Sequence, residues 1–332
     1  MRKNKIINFI MNNGSPAQRY VVNRDVLGAD KMSPEMLDLQ RQILRQKEVI
    51  KILKMQDENG WFGKELHGGF DHITGILNDY GVESYHPFMQ KAKQALLLDK
   101  DPYPRNHPPV ETYNYANYPR IKVLACLYNN DEHDKLLLKF QDEIIKKLSA
   151  VRNIDLLDEI SKELTSKRFR ETKGWKWHPD TEARGYKKDR VNSFPCISDI
   201  HILAKCLNWK DGRTENIVTE AMLHVSSFAP VPQIHIPVNG HWVGPYGSYE
   251  MLDHPFDCPH TQAQTGWRLN DYYCLCKVCD VEQIPHYYKN VEWLAERVQN
   301  DLLPEKWINE TQTKTDIYFI VLLILHYAKI DF

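Results

Sequence analysis

The chain has 332 residues, of which 42% are hydrophobic and 26% charged, a balance that is ordinary for a globular protein with a large core. Its 43 basic and 44 acidic side chains leave a formal net charge of -1, so no global field attracts nucleic acid. Residues 1–14 lack the continuous apolar core of a signal peptide, and the longest apolar run, residues 317–325, is about half of the ~20 residues that a membrane span needs. We therefore expect a cytoplasmic protein with no membrane span and no nucleic-acid partner.

Capping signals predict the first elements. Ser15 and Pro16, followed by Gly28, indicate a short helix that a glycine closes. Ser33 and Pro34 then supply an N-cap and a first-turn proline for a second helix. One apolar stripe in that helix is formed by Met36, Leu39, Ile43, Ile50 and Leu53. The pattern predicts a single surface helix that packs on one side.

Charged and apolar helices alternate along the rest of the chain. Residues 67–81 are poor in charge, which is typical of a helix buried on most sides. Charged amphipathic helices are predicted near 86–98, 132–149, 213–228 and 288–302, and apolar helices near 118–129, 195–209, 262–279 and 315–329. Two insertions, 150–192 and 229–260, are rich in Trp, His, Pro and Gly and are predicted to be irregular loops, and no alternation is long enough for a sheet. Helix pairs with similar ends are typical of a repeat array, here one domain over residues 1–332.

The turn at residues 56–63 reads Gln-Asp-Glu-Asn-Gly-Trp-Phe-Gly, and weaker echoes occur at Trp175, Trp242 and Trp307. This order of helix, Gly-Trp turn and apolar helix resembles the repeat of the squalene cyclase and protein prenyltransferase superfamily, in which a glutamine and a tryptophan brace consecutive helices. Residues 15–85 also resemble a set of uncharacterised bacterial squalene-cyclase-like proteins. The resemblance implies an all-α fold, an α/α toroid (incomplete α/α barrel) of about five helical hairpins. An open helical solenoid is the alternative, because a tryptophan can also simply cover a helix end.

The catalytic motifs of that superfamily are absent. No Asp-x-Asp-Asp acid of the protonation-initiated cyclases occurs, and the adjacent Asp257 and Cys258 depart from the Asp-x-Cys zinc pattern of the prenyltransferases. His254, Asp257, Cys258 and His260 are weak candidates for zinc ligands, since Pro-rich loops also collect such residues without a metal. We expect no metal and no required cofactor. The seven cysteines are expected to be core thiols, including the three on one apolar helix, Cys274, Cys276 and Cys279.

Loops that lead into the inner helices of a toroid would form the mouth of a central cavity, where ligand sites are common. Four acid-base residues near those positions are candidate catalytic groups: Asp71, Asp199, His201 and Asp271. Candidate ligand-binding residues are His72, Tyr113, Tyr115, Trp177, His260, Trp267 and Asp316. Each acid alone could instead favour a helix N-terminus through capping and the helix dipole.

Three functions follow from these residues. The first is binding of, or catalysis on, a small molecule or glycan in a central cavity, with two carboxylates as acid and base. The second is a non-catalytic helical-repeat scaffold or protein-binding module. The third and weakest is an isoprenoid-processing enzyme, which requires a pocket almost free of acids. The oligomeric state has no signal in the sequence.

Overall fold

The computed structural model of the protein describes residues 2–98, 118–128, 134–151, 197–227, 236–238, 241–243, 252, 256, 262–308 and 313–332. Thirteen α-helices lie in these ranges: α1 Arg2–Asn13, α2 Pro16–Val21, α3 Pro34–Leu44, α4 Lys47–Leu53, α5 Asp71–Asp79, α6 Pro87–Leu97, α7 Tyr118–Tyr128, α8 Lys135–Val151, α9 Ile197–Lys205, α10 Gly212–Ser226, α11 Gln262–Val278, α12 Pro285–Gln299 and α13 Lys314–Tyr327. Two π-helical turns, Val22–Val26 and Leu66–Phe70, continue α2 and lead into α5. The predicted all-α class is confirmed.

Three features of the structure were not predicted from the sequence. The N-terminal residues form α1, whose side chains Ile6, Ile7 and Ile10 are buried although asparagines interrupt the apolar pattern. The single helix predicted from Met36 onward is two helices, α3 and α4, because the backbone of Gln46 is extended (φ -64°, ψ 138°). The insertion predicted to be irregular contains a short antiparallel pair, β1 Ile236–Val238 and β2 His241–Val243. Each strand has only 3 residues, too few for sequence alternation to reveal.

The helices after α4 form two interleaved series. In the apolar series, α5 packs on α7, α7 on α9, α9 on α11 and α11 on α13. In the charged series, α8 packs on α10, and α10 packs on α12. The first charged helix, α6, packs on α7 of the apolar series. The N-terminal α1 packs on α13 and α2, and the turn Val22–Val26 also packs on α13. The two ends of the described chain therefore meet, and the Lys3 amide donates a hydrogen bond of 3.0 Å to the carbonyl of Phe332.

The turn at residues 56–63 ties α4 to the next charged helix. Gln56 donates from Nε2 to the carbonyl oxygens of Phe88 in α6 (2.8 Å) and of Gly60 (3.0 Å). Gly60 has a φ of 97°, and a Cβ at this position would lie 2.5 Å from the carbonyl oxygen of Lys91. Only glycine therefore allows this close approach of the turn to α6.

Tryptophans cover the junctions between helices, as large apolar groups. Trp61 is only 1% exposed, and its ring centroid lies 4.3 Å from that of Phe70, just before α5. The echo at Trp307 is also buried, with ring centroids 5.8 Å from Phe256 and 5.9 Å from Trp293. Trp61 therefore packs at the entry to α5, and Trp307 packs against α12.

Candidate functional site

Asp199 and Asp71, two of the predicted catalytic acids, make internal contacts. Asp199 forms an ion pair of 2.7 Å with Lys147 of α8, and both side chains are almost completely buried, at 0% and 4% exposure. The Asp71 carboxylate accepts a hydrogen bond of 2.7 Å from the Gly68 amide and closes the turn that leads into α5. The geometry of both residues favours a structural role, joining α9 to α8 in one case and capping a helix in the other.

Two predicted ligand-binding residues have equally clear positions. Asp316 forms a capping box with Thr313 at the start of α13, and it accepts a hydrogen bond of 2.7 Å from Nε2 of Gln18. It joins α13 to α2. His72 is exposed on α5. Neither contact of Asp316 needs a ligand to satisfy it.

His201 and Asp271 are brought together across two helices of the apolar series. Nε2 of His201 on α9 lies 2.7 Å from a carboxylate oxygen of Asp271 on α11. The Asp271 side chain is 9% exposed and that of His201 is 23% exposed, so the imidazole keeps access to solvent. A histidine oriented by a carboxylate is a common general acid or base. The two residues are predicted individually from the sequence, and the structure makes them a pair.

The sequence prediction missed a second ion pair, whose lysine is buried, and a nearby buried lysine. Lys205, the last residue of α9, forms an ion pair with Asp79, the last residue of α5. Lys277 lies near the end of α11, with its ammonium 3.4 Å from the hydroxyl oxygen of Tyr273. Each lysine stands in an otherwise apolar stretch, of sequence Ile-Leu-Ala-Lys-Cys or Leu-Cys-Lys-Val-Cys. A lysine within such an apolar stretch is the sequence signal from which both residues could have been predicted.

A charged network from the N-terminal segment borders these lysines. Arg24 contacts both carboxylate oxygens of Asp25, at 2.6 and 3.2 Å, and reaches Glu83 at 3.2 Å. Glu83, 1% exposed, also binds Lys31 at 3.0 Å and accepts a hydrogen bond of 2.8 Å from the Tyr20 hydroxyl. Burial alone would raise the pKa of Asp25, but the guanidinium of Arg24 beside it outweighs burial and lowers that pKa. Asp25 is therefore a carboxylate already engaged by an arginine.

Burial sets the protonation of the groups around Lys277. Loss of hydration lowers the pKa of Lys277 to about 8, with a further lowering by the positive charges of Arg24 and Lys205, while Asp25 opposes the shift. For Lys205, burial also disfavours the ammonium, but the Asp79 carboxylate outweighs it and raises the pKa above its ordinary value. Both lysines are therefore mostly protonated at about pH 7, but Lys277 loses its proton at a lower pH than Lys205.

The nearby thiols are protonated. Burial raises the pKa of Cys126 to about 11 and that of Cys274 to about 12. Neither is a thiolate near neutral pH, and a thiolate is what nucleophilic attack or metal binding requires. Five cysteines in the described ranges are buried and free, as predicted for core thiols.

A cavity of about 210 Å³ lies between α11 and α13. Val21 of α2 and Asp79 of α5 also reach it, and its wall includes Asn270 and Tyr273 of α11. Most of the remaining lining is apolar, from Leu269, Ile317, Phe319, Ile320 and Leu323. The side-chain amide of Asn270 has no hydrogen-bond partner among the described residues. This space, called the α11–α13 cavity below, offers polar groups in an apolar wall.

Several predicted site residues lie outside the described residues. These are Tyr113, Tyr115, Trp177 and His260, together with the zinc candidates His254, Asp257 and Cys258. Trp267 belongs to α11. Within the described ranges, no group of three or more His, Cys, Asp or Glu side chains is arranged to hold a metal ion. No helix in those ranges is both long and apolar enough to cross a membrane.

Comparison with known proteins gives no relative from which a function could be inferred. No family model matches the chain, and neither a curated protein nor a solved structure matches it significantly.

Proposed function

We propose that the protein is an α/α toroid that binds a small polar molecule or a sugar between the helices of its apolar series, with His201 and Asp271 as the acid-base pair. The supporting observation is the 2.7 Å contact between these two side chains, which come from neighbouring helices; Asp271 directly follows Asn270, a residue of the cavity wall, in the sequence. The helix order supports the toroid, since each helix of the apolar series packs on the next and α13 packs on the N-terminal segment.

The cost of burying charge supports a binding role. Polar groups inside a helical protein destabilise it unless they are paired, and apolar side chains of similar size would pack as well or better. Nevertheless Lys277 is only 7% exposed near the end of α11 and forms no ion pair with a carboxylate of the described residues. A ligand that uses this amine would explain why it is there.

The cavity limits the size and chemistry of the ligand. At about 210 Å³ it is smaller than the roughly 300 Å³ at which drug-sized ligand sites begin, so it suits a molecule no larger than about one sugar ring. The unpartnered amide of Asn270 can both donate to and accept from a hydroxyl or carbonyl group. Asp79 and Asp316 in the wall argue against an isoprenoid, which gains nothing from carboxylates.

Thermal unfolding against a panel of small molecules tests this proposal. The panel contains monosaccharides, small carboxylic acids and small aldehydes, each at rising concentration. A ligand at 100-fold above its Kd should stabilise the folded chain by about 2.7 kcal/mol, roughly 4 °C in Tm for a chain of this size. His201→Gln should weaken that response, while the control His224→Gln on α10 should leave it unchanged.

Two outcomes would refute the proposal. The first is that no compound in the panel raises the Tm. The second is that a ligand stabilises both variants equally, which would place its site away from His201. Absence of any response would favour the alternative of a helical-repeat scaffold.

A further inference from the structure

Lys205 and Lys277 form a natural comparison of two buried amines. Their exposures are 9% and 7%, and they lie near the ends of neighbouring helices α9 and α11. Lys205 has the Asp79 carboxylate as its partner. Lys277 makes no ion pair with any carboxylate of the described residues, and its ammonium has one hydrogen-bond partner among them, the Tyr273 hydroxyl at 3.4 Å. The two lysines are therefore similarly buried, but only Lys205 has a carboxylate as its partner.

Aromatic rings surround the Lys277 ammonium. It lies 5.4 Å from the ring centroid of Tyr273 and 5.6 Å from that of Tyr327. Asp25 is the nearby acid, but Arg24 already binds both of its oxygens. A lysine in low-polarity surroundings beside other cations is the arrangement that makes an amine nucleophilic.

Tyr273 connects Lys277 to the α11–α13 cavity. Tyr273 lines the cavity, and it precedes Lys277 by four residues on the same face of α11. Tyr273 therefore joins the Lys277 amine, which is not itself a lining residue, to the wall of the cavity. Burial raises the pKa of this phenol well above its ordinary value, so it stays protonated and can donate to a carbonyl oxygen.

We infer that Lys277 is the reactive amine of a carbonyl-binding site at the α11–α13 cavity, where it forms an imine with a small aldehyde or ketone. This inference rests on the proposed function, in that a small molecule enters between the apolar helices. The neutral amine attacks the carbonyl carbon, a C–N bond forms, and the carbonyl π electrons move to oxygen. A proton passes from nitrogen to that oxygen, aided by the Tyr273 hydroxyl, and loss of water leaves the C=N bond. Addition of water reverses the step, so no oxidant or reductant is needed.

The protonation state of Lys277 makes the reaction feasible near neutral pH. With a pKa of about 8, about one tenth of the Lys277 side chains are neutral at about pH 7. An ordinary exposed lysine, with a pKa of about 10.4, is neutral in roughly one molecule of 2,500 at the same pH. Lys205, whose pKa is raised, is neutral still less often.

Trapping with acetaldehyde and cyanoborohydride at about pH 7 tests the inference on the full chain. The hydride reduces the imine to a stable secondary amine, and mass spectrometry of chymotryptic peptides gives the labelling rate at each lysine. Lys277 should be labelled at least about tenfold faster than Lys205, which is equally buried. Its rate should level off above about pH 8, whereas exposed lysines should continue to rise.

Two tyrosine variants show whether the Tyr273 hydroxyl takes part. Tyr273→Phe should slow labelling of Lys277 and leave Lys205 unchanged, whereas Tyr288→Phe on α12 should slow neither. Equal rates at Lys277 and Lys205 in the unmodified protein would overturn the inference, even if a ligand raises the Tm. Selective labelling of Lys277 without any ligand-dependent rise in Tm would uphold the inference and refute the proposed function.

Discussion

Lys277→Met replaces a buried ammonium with an apolar side chain of similar length, and the effect on stability should depend on pH. In the folded chain the pKa of Lys277 is lowered to about 8, whereas in the unfolded chain it has the ordinary lysine value of about 10.4. Between these two values the unfolded state binds more protons than the folded state. The stability of the unmodified protein therefore rises with pH across this window, because the cost of charging Lys277 in the folded state disappears.

The size of the effect follows from the same two values. The full difference between the folded and unfolded pKa values corresponds to a destabilisation of about 3 kcal/mol. This destabilisation is present below about pH 8 and is lost by about pH 10.4. The Met variant lacks this cost at every pH. Its stability relative to the unmodified protein should therefore fall by about 2 kcal/mol between about pH 7.5 and about pH 10.

Urea denaturation followed by circular dichroism measures this difference at several pH values. Other titrating groups are common to both proteins, so their effects largely cancel in the comparison. Lys205→Met is the matched control. The pH dependence of its stability relative to the unmodified protein should have the opposite sign. The pKa of Lys205 is raised in the folded chain, so its contribution to stability is fully present below about pH 10.4 and is lost only above that value. A difference between Lys277→Met and the unmodified protein that does not change with pH would refute the reasoning.

Two further substitutions test structural roles. Trp61→Ala should lower the free energy of unfolding by about 3 kcal/mol, because the ring is 1% exposed and packs on Phe70. Chemical denaturation measures it, and a loss below about 1 kcal/mol would contradict burial of Trp61 as an apolar plug. Asp199→Asn should cost about 3 kcal/mol in the same assay, because it leaves Lys147 buried without its carboxylate. The Asp199→Asn variant should still be stabilised by ligand. If it instead lost ligand binding at unchanged stability, Asp199 would belong to the ligand-binding site.

Helix order could be predicted from the sequence because it depends on local pattern. The apolar helix predicted near 262–279 is Gln262–Val278, and that predicted near 118–129 is Tyr118–Tyr128. The predicted N-cap at Ser33 is also present, since its side chain accepts from the Met36 amide at 3.3 Å. Such signals need only neighbouring residues. The break at Gln46 has no comparable signal, as no glycine or proline marks it.

The candidate site could be predicted only in part, because its contacts join distant residues. His201 and Asp271 stood out individually as acid-base groups on apolar helices, but 70 residues separate them and their contact depends on how α9 packs against α11. Asp199 has the same local signal as Asp271, yet it points to Lys147 of α8. Local pattern shows that a charge is buried, while its partner is fixed by tertiary packing.

Some predicted acids and the charged residues that the prediction missed lie at opposite ends of the helices. The acids expected to form a site, such as Asp71 and Asp316, lie at the N-terminal ends, where capping accounts for them. The charged residues that the prediction missed, Asp79, Lys205 and Lys277, fall in the last turns of α5, α9 and α11. Capping does not account for these three, whereas it does account for Asp71 and Asp316.

The low pKa of Lys277 has a consequence for ligand binding. The loss of hydration, together with the positive charges of Arg24 and Lys205, exceeds the attraction of Asp25 and lowers this pKa. An imine nitrogen is less basic than an amine, and it is neutral over more of the pH range. The cost that burial places on the ammonium would therefore favour the imine, so the energy that destabilises the free protein would contribute to binding of the carbonyl compound.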